Sequence, residues 1–350
     1  FLQEMQEKAL KGYDAMTVGE TFGVGPELAR QYTCGDPPEM SMLFHFELMT
    51  VDRKTSDRFR YTPWELKEMK NIIEKWQHAL HGCGWNSNFL MNHDQPRAVS
   101  RFADDGKYRR ESAKLLATLT LTLEGTPYIY QGEEIGMTNP LFQSIDEYRD
   151  VELLNHYREQ RAGGAGIDEL LPGYHRFARD NARTPMQWDG SPHAGFTRGI
   201  PWINVNPNYR EINVQAELAR EDSIHAFIRD LIKLRKNNDT LIYGEFILLD
   251  RDNPRSFCYL RRREKESPSE ETIAAGDMTE ETASPDAAPE ETFLVALNFS
   301  SEETALPALE PGSPRTGADW KLELCNYPDR EKSDIHRPLR PWEARIYRSI

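Results

Sequence analysis

Apolar residues recur at helical spacing in several stretches of the first 140 residues, and short apolar runs separate those stretches. Residues 64–80 have the strongest pattern, and we predict an amphipathic helix there. Shorter helices are predicted for residues 1–12, 26–32 and 109–123. The apolar runs between the helices predict four strands, at residues 15–20, 40–49, 89–91 and 127–130.

Helices and strands that alternate in this way are typical of a parallel sheet with helical crossovers. Polar, titratable residues follow the predicted strands, among them Glu20 and the pair His93 and Asp94. A (β/α)8 barrel builds its active site from such positions, and a complete barrel takes ~250 residues. Because the fourth strand ends near Tyr130, the pattern leaves two folds open: an open α/β sheet, or a barrel whose first half lies before Phe1.

The next segment, residues 140–210, has few signals of regular structure beyond a helical stretch at 146–159. It contains a run rich in Arg, Asn and Trp at 179–188, and a long loop after a barrel strand is usually functional. Residues 211–237 then predict one long helix, with Leu218 and Leu231 on its apolar side.

From Leu241 onward, short strand-like runs alternate with turn signals and predict a small antiparallel β-sandwich. We therefore divide the chain into residues 1–240 and 241–350. Residues 264–291 have ten acidic residues against one lysine. Such a composition cannot bury enough apolar surface to fold, so we predict a disordered insertion there.

The formal net charge of −14 argues against nucleic acid or an anionic membrane as the main partner. No apolar run approaches the ~20 residues of a membrane helix. No signal peptide is visible, so we expect a cytoplasmic protein. The four cysteines, Cys34, Cys83, Cys258 and Cys325, lack metal-binding spacing. They predict reduced thiols, with neither a zinc site nor a disulfide.

Four motifs distributed over the first 190 residues are more specific than the composition. They are MTVGE at 16–20, NHDQPR at 92–97, GTPYIYQGEEIG at 125–136 and ARTPMQW at 182–188. By their order and spacing, the chain resembles the α-amylase family of retaining glycoside hydrolases, and within it the oligo-1,6-glucosidase and dextran glucosidase branch. The resemblance implies an α/β fold: the C-terminal half of a (β/α)8 barrel over residues 1–240, followed by the antiparallel domain.

The same resemblance implies roles for three residues. Glu20 would be the proton donor and later the general base. Asp94 would bind sugar hydroxyls and stabilise the transition state, and His93 would hydrogen-bond the same sugar. The chemistry agrees, because glycoside cleavage needs an acid at the leaving oxygen and a carboxylate on the other face of the ring. Burial at the end of a strand would favour the protonated form that Glu20 needs as an acid.

Further residues follow from the resemblance alone. Arg183, or alternatively Arg179, would hold the non-reducing glucose, and Glu152 and Lys54 would lie near the leaving-group sugar. The family's nucleophile is an aspartate one strand before the acid. Asp14 is too close to Glu20 for that role, so we expect the nucleophile upstream of this chain. A structural calcium or magnesium site would also lie upstream, and we expect no cofactor in this chain.

These inferences favour an exo-acting α-glucosidase that cleaves terminal α-1,6 or α-1,4 links of oligosaccharides and that is inactive without its upstream half. One alternative shares the fold but transfers glucose to sugar, as sucrose isomerase and trehalose synthase do. Another is a non-catalytic, amylase-like partner subunit. We expect an oligosaccharide as the partner of the site, and a monomer when the protein is full length.

Overall fold

The computed structural model of the protein describes residues 1–263, 291–307 and 320–350. Its helices, α1 to α11, are Leu2–Met5, Pro26–Thr33, Leu66–Leu80, Ala98–Phe102, Arg109–Thr122, Val151–Ala162, Ile167–Phe177, Asp180–Arg183, Val214–Leu218, Ile224–Lys236 and Asp239–Tyr243. Its strands, β1 to β9, are Val18–Thr21, Met42–His45, Ser87–Asn88, Thr126–Pro127, Glu245–Leu248, Ser256–Arg263, Glu291–Asn298, Trp320–Cys325 and Ala344–Ser349. The predicted acidic insertion lies outside the described residues, except for Glu291 at the start of β7.

The first four strands lie side by side in chain order and are parallel. β1 pairs with β2, and β3 pairs with β4. A parallel bridge between Leu43 and Asn86 joins the two pairs. Helices α2, α3 and α5 connect successive strands. This is the arrangement predicted for half of a (β/α)8 barrel.

The ladder of β3 is short and lies slightly before the predicted strand at 89–91. Gly125 fixes its position, because a Cβ there would lie 2.4 Å from the carbonyl oxygen of Asn86 and the residue has a φ of +122°. This close approach lets the Thr126 amide donate to the Asn86 carbonyl at 2.8 Å. Residues 89–91 are buried but lie outside the ladder, which explains why their apolar character predicted a strand.

The expectation that Glu20 is buried at the end of β1 is wrong, and the strand itself is largely exposed. Val18 and Glu20 are exposed, as are Met16 and Phe22. Within the described residues β1 pairs only with β2, so its other edge and the side chains beside it remain open to solvent. The apolar residues of this strand predicted the element correctly but not its surroundings.

Two predictions about helices are also wrong. Helix α7 lies in the stretch for which no helix was predicted, and Pro172 lies inside it. The long helix predicted for residues 211–237 is two helices, α9 and α10. Ser223 begins α10, and its hydroxyl accepts a hydrogen bond from the Ala226 amide at 2.9 Å. Serine is favoured at a helix start because it satisfies a free amide of the first turn in this way. Leu218 ends α9 and is 63% exposed.

The C-terminal strands form an antiparallel sheet in the order β5-β6-β7-β9-β8, which confirms the predicted all-β region. Its core is continuous with that of helices α3, α5 and α10. The buried Arg261 strengthens this junction by donating to the carbonyls of Thr122, Leu241 and Gly244. Because the core crosses residue 240 without a break, a domain boundary at that residue stays a prediction.

The prediction of reduced cysteines is wrong for one pair. Cys34, which ends α2, forms a disulfide with Cys83, and their Cα atoms are 4.8 Å apart. The two residues are 49 positions apart in sequence, and only the packing of α2 against α3 brings them together. Cys258 and Cys325 are free and buried.

Candidate active site

A cavity of about 380 Å³ lies where the four parallel strands end. Every one of those strands contributes to its lining, either directly or through the residues that follow it. The lining residues are Val18, Glu20, Phe44, Phe46, Phe89, Met91, Asn92, His93, Tyr128, Ile129 and Tyr130. The C-terminal ends of barrel strands are where active sites of this fold lie, so the position agrees with the sequence prediction.

Aromatic rings form one side of this cavity. Phe44 meets Phe89 edge-on at 5.2 Å between centroids and Tyr128 at 4.5 Å. Phe46 contacts Phe89 at 5.7 Å, and Phe22 stacks on Phe46 at 3.9 Å. A mainly aromatic wall with a few polar groups is the usual composition of a small-molecule site.

Glu20 projects into the cavity from β1, opposite Phe44 of β2 in the ladder. His93 lines the same cavity, so the structure brings these two predicted residues to one site. Glu20 is not a helix cap, because α2 begins later, at Pro26, with Gly25 as its N-cap residue. Glu20 is exposed, so the described residues do not provide the burial that was expected around this carboxyl group.

Asp94 lies in a tight turn that Asn92 stabilises. The Asn92 side-chain oxygen accepts the Asp94 amide at 2.8 Å, and the Asn92 carbonyl accepts the Gln95 amide at 3.2 Å. The Asp94 carboxylate forms an ion pair with Arg183. On its other side, Oδ2 lies 3.6 Å from Nε2 of His93. The structure thus joins three residues that the sequence predicted.

Arg183 also donates from Nε to the His93 carbonyl at 2.9 Å. One guanidinium therefore contacts both residues of the His93-Asp94 pair and fixes the turn that carries them. Such a charge-assisted contact is stronger and better defined in direction than a hydrogen bond between neutral groups.

Arg179 is the second guanidinium beside Asp94, with its NH1 atom 3.9 Å from Oδ1. It is bound bidentately by Asp150, at 2.8 Å from Nε and 2.5 Å from NH2. Burial alone would raise the pKa of Asp150, but the bonds and charge of Arg179 outweigh it and hold that pKa below its usual value. The same pair raises the pKa of Arg179.

Glu152 belongs to this ionic cluster. Its carboxylate lies 3.4 Å from Arg179 and 2.6 Å from Arg58. Arg58 also donates to the Asp94 carbonyl at 3.2 Å. Glu152 is therefore placed near Asp94, and its assignment to the leaving-group sugar stays a prediction.

Lys54 is not brought into this cluster by any contact among the described residues. Its ammonium pairs with Glu68 at 2.6 Å, and both side chains are substantially exposed. Its assignment to the leaving-group subsite stays a prediction.

Arg97, which lies within the second motif, supports the site in a way that the sequence did not predict. It is buried and donates to the carbonyls of Asn181 and Gln131, at 3.2 and 2.6 Å, and to the Thr184 hydroxyl at 3.3 Å. Three of the four motifs therefore meet at one side chain. Burial lowers the pKa of Arg97 to about 10, which leaves it charged at neutral pH.

Sequence reasoning also missed Asp150 and Arg58. The signal for Asp150 was its position two residues before Glu152, at the start of the helix predicted near 146–159. For Arg58 the signal was weaker, since it is one of several cations between residues 53 and 60. Neither residue type at those positions indicates which partner it meets in the folded chain.

The described ranges offer neither a metal site nor a membrane-spanning helix. They contain no group of three or more His, Cys, Asp or Glu side chains suited to a metal ion. None of their helices combines the length and apolar character that crossing a membrane requires.

Comparison with known proteins agrees with this geometry. The α-amylase catalytic-domain family matches residues 1–244. The chain belongs to the α-amylase family. The oligo-1,6-glucosidase of Parageobacillus thermoglucosidasius is 45% identical over 350 residues, which cover 99% of this chain and 57% of that relative. The chain thus spans somewhat more than half the length of a relative that it matches.

Solved structures of α-amylase-family enzymes have the same fold. The trehalose-6-phosphate hydrolase of Bacillus licheniformis matches with a TM-score of 0.86 at 37% identity, over 99% of this chain and 58% of that one. The isomaltulose synthase of Protaminobacter rubrum matches with a TM-score of 0.84 at 35% identity, over 100% and 58%. These matches confirm the predicted fold class: part of a (β/α)8 barrel followed by an antiparallel β-domain.

Proposed function

We propose that this chain carries the acid/base part of a retaining, exo-acting α-glucosidase that hydrolyses terminal α-1,6 links of short oligosaccharides. The observation that carries the proposal is the single cavity shared by Glu20 and His93, with Asp94 following directly. The α-1,6 preference is supported by the oligo-1,6-glucosidase named among its relatives at 45% identity. The activity is proposed for the whole protein.

In this mechanism Glu20 protonates the glycosidic oxygen as its bond to the sugar breaks. In the second step its carboxylate removes a proton from the attacking water. A retaining enzyme also needs a nucleophilic carboxylate. None of the residues in this site has that role, so we propose that the whole protein supplies it from outside this chain.

Asp94 accepts hydrogen bonds from hydroxyls of the reacting sugar. These bonds accelerate cleavage if they strengthen as the ring flattens and gains positive charge. Arg183 holds the Asp94 carboxylate in a fixed orientation before substrate arrives, so little reorganisation is needed during the reaction. His93 adds a further contact with the same sugar, and Glu152 lies on the side proposed for the leaving group.

The test measures glucose release from isomaltose and from p-nitrophenyl α-glucoside. The chain as given is compared with a version extended upstream to its start codon, each with and without Glu20→Gln. We expect activity in the extended form and its loss, by at least about 100-fold, in the variant. Extended protein that cleaves neither substrate would refute the proposal, and activity in the shorter chain would place a nucleophile within it.

A second candidate is glucosyl transfer to sugar, which the match to isomaltulose synthase favours. Incubation with sucrose distinguishes the two, because an isomerase converts it into another linked disaccharide. A hydrolase forms no new disaccharide: it releases glucose and fructose, or leaves sucrose intact if it cleaves α-1,6 links alone. Chromatography of the products at early times gives the ratio of transfer to hydrolysis directly.

A further inference from the structure

Residues 149–150 and residues 179–180, two segments beside the site, are joined through a pair of aspartates. Asp180 accepts the backbone amides of Arg149 and Asp150, at 2.6 and 2.9 Å. In return Asp150 binds the guanidinium of Arg179, the residue before Asp180, at 2.8 and 2.5 Å. We call this arrangement the Asp150–Asp180 clasp. Each segment gives one carboxylate to the other, so the clasp fixes their relative position.

Both carboxylates of the clasp are buried. Asp150 is 3% exposed and Asp180 is 0% exposed. A buried carboxylate is costly unless hydrogen bonds and opposite charge compensate it. Alternative placements of Arg179 would leave Asp150 uncompensated, and this favours the bidentate arrangement.

The clasp matters because Arg179 also lies close to Asp94. Its NH1 atom is 3.9 Å from Oδ1 of Asp94, an oxygen that Arg183 already binds. At that distance the attraction between the two charges is substantial in a partly buried site. Without Asp150, Arg179 would lose its bidentate partner and keep only the longer contact with Glu152, at 3.4 Å. It could then bind Asp94 directly and occupy oxygens that the sugar hydroxyls need.

We propose that Asp150 is a positioning residue that holds Arg179 away from Asp94 and so leaves the Asp94 carboxylate open to substrate. This inference rests on the proposed function only for the task given to Asp94. The arrangement itself can be tested without turnover.

Asp150→Asn is a suitable variant because it separates two roles of this side chain. Asp150 also caps α6, accepting the Glu152 amide at 3.1 Å, and asparagine caps helices as well as aspartate does. The substitution therefore keeps the cap and the side-chain shape but removes the charge that holds Arg179. Asp222→Asn is the matched control, because Asp222 pairs with Arg110 and Arg220, which belong to neither the clasp nor the site.

The readout is the ring signal of His93 in a histidine-labelled NMR spectrum, assigned by its loss in His93→Gln. Nε2 of His93 lies 3.6 Å from Oδ2, the second oxygen of the Asp94 carboxylate, so the His93 ring reports a change in the orientation of that carboxylate. We expect Asp150→Asn to shift this signal more than that of any other of the nine histidines. Adding Arg179→Gln should return it towards its original position, and Asp222→Asn should leave it unchanged.

The double variant excludes simple structural damage, because damage would not be repaired by removing an arginine. An unshifted His93 signal in Asp150→Asn, or an equally shifted one in the double variant, would overturn the inference. If Asp150→Asn does not fold, the double variant decides: it should fold, and its failure would also overturn the inference. Failure of the glucosidase proposal would appear separately, as an absence of glucose release.

Discussion

The two walls of the cavity are built differently. One wall contains Asn92 and His93, and we call it the Asp94 wall after the residue that follows them. It is held by the buried Arg97, the ion pair of Asp94 with Arg183, and the clasp beyond it. The wall with Glu20 is a four-residue strand whose alternate side chains are exposed. Behind it lies a small core that includes Ala29, Leu43, Trp76 and Leu80.

This difference shows that two motifs can be equally specific in sequence while the contacts within the chain hold their side chains in place to different degrees. Electrostatic catalysis depends on groups that are oriented before the substrate arrives. In the described residues this condition is met for Asp94 but not for Glu20. We therefore expect the Asp94 wall to retain its geometry when this chain is studied alone, and the Glu20 wall to move. The following predictions test that comparison.

The largest effect is expected at the Asp94 wall, from Arg97→Met. The substitution removes a buried cation and leaves two carbonyls and a hydroxyl without their donor. Bonds to charged groups and unsatisfied buried acceptors each contribute a few kcal/mol, so we expect a loss of about 3–5 kcal/mol in the free energy of unfolding. Urea denaturation followed by circular dichroism measures it.

Arg229→Met is the matched control for this prediction. Arg229 is 55% exposed and pairs with Asp230 on the surface, where such pairs contribute about 0–1 kcal/mol. Equal losses in the two variants would show that Arg97 is not a special anchor of the wall.

A smaller effect is expected at the Glu20 wall when the disulfide is removed. Cys34–Cys83 ties α2, which follows β1, to the end of α3, and it closes a long loop. Disulfides of this kind contribute about 2–4 kcal/mol. We expect dithiothreitol to lower the melting temperature of the chain by about 5–10 °C. The double variant Cys34→Ser/Cys83→Ser should melt at the temperature of the dithiothreitol-treated chain, with or without dithiothreitol. If dithiothreitol still lowers its melting temperature, the effect does not come from this disulfide.

Glu133 gives a prediction that depends on pH. It follows β4 and accepts the Tyr130 amide at 3.2 Å, and burial raises its pKa to about 8. Because this folded-state pKa lies above the unfolded value, the stabilising contribution of protonated Glu133 is complete below about pH 4.5 and is lost as the pH rises through 8. Glu133→Gln should therefore raise the melting temperature by about 2–5 °C at pH 8 but little at pH 4.5.

Melting curves of both proteins across this range provide the check. A benefit of Glu133→Gln that is equal at both pH values would show that the carboxyl does not titrate in this interval.

The smallest effect is expected from Lys54→Ala. The ion pair with Glu68 is exposed, so its loss should change the free energy of unfolding by less than about 1 kcal/mol. Isomaltose kinetics in the extended protein then test the predicted subsite role. A higher KM at unchanged stability would support it, and unchanged kinetics would remove Lys54 from the site.

Much of this molecule follows from local sequence. The periodicity of residues 64–80 predicted α3 to within two residues at its start, and the change in pattern near Leu241 predicted the antiparallel sheet. Two of the predicted polar residues, Glu20 and His93, line the cavity, and their roles stay predictions. These features depend on side-chain spacing and on short-range propensity, which a single sequence records.

The features that the sequence predicted wrongly or missed share a physical cause: each depends on residues that are distant in the sequence. The exposure of Glu20 depends on what packs beside β1, and the disulfide depends on how α2 meets α3. The role of Asp150 depends on Arg179, 29 residues away. Helix α7 was missed because its proline and nearby glycines predict interruption, which tertiary packing of Tyr174 and Phe177 overrides.

Hydrogen exchange followed by mass spectrometry tests the contrast between the two walls most directly. At neutral pH, peptides that cover β1 are compared with those that cover α4 and α8 in the same sample. We predict that the β1 amides exchange at least about 100-fold faster, and faster still after reduction of the disulfide. Equal protection of β1 and of the Asp94 wall would contradict this account.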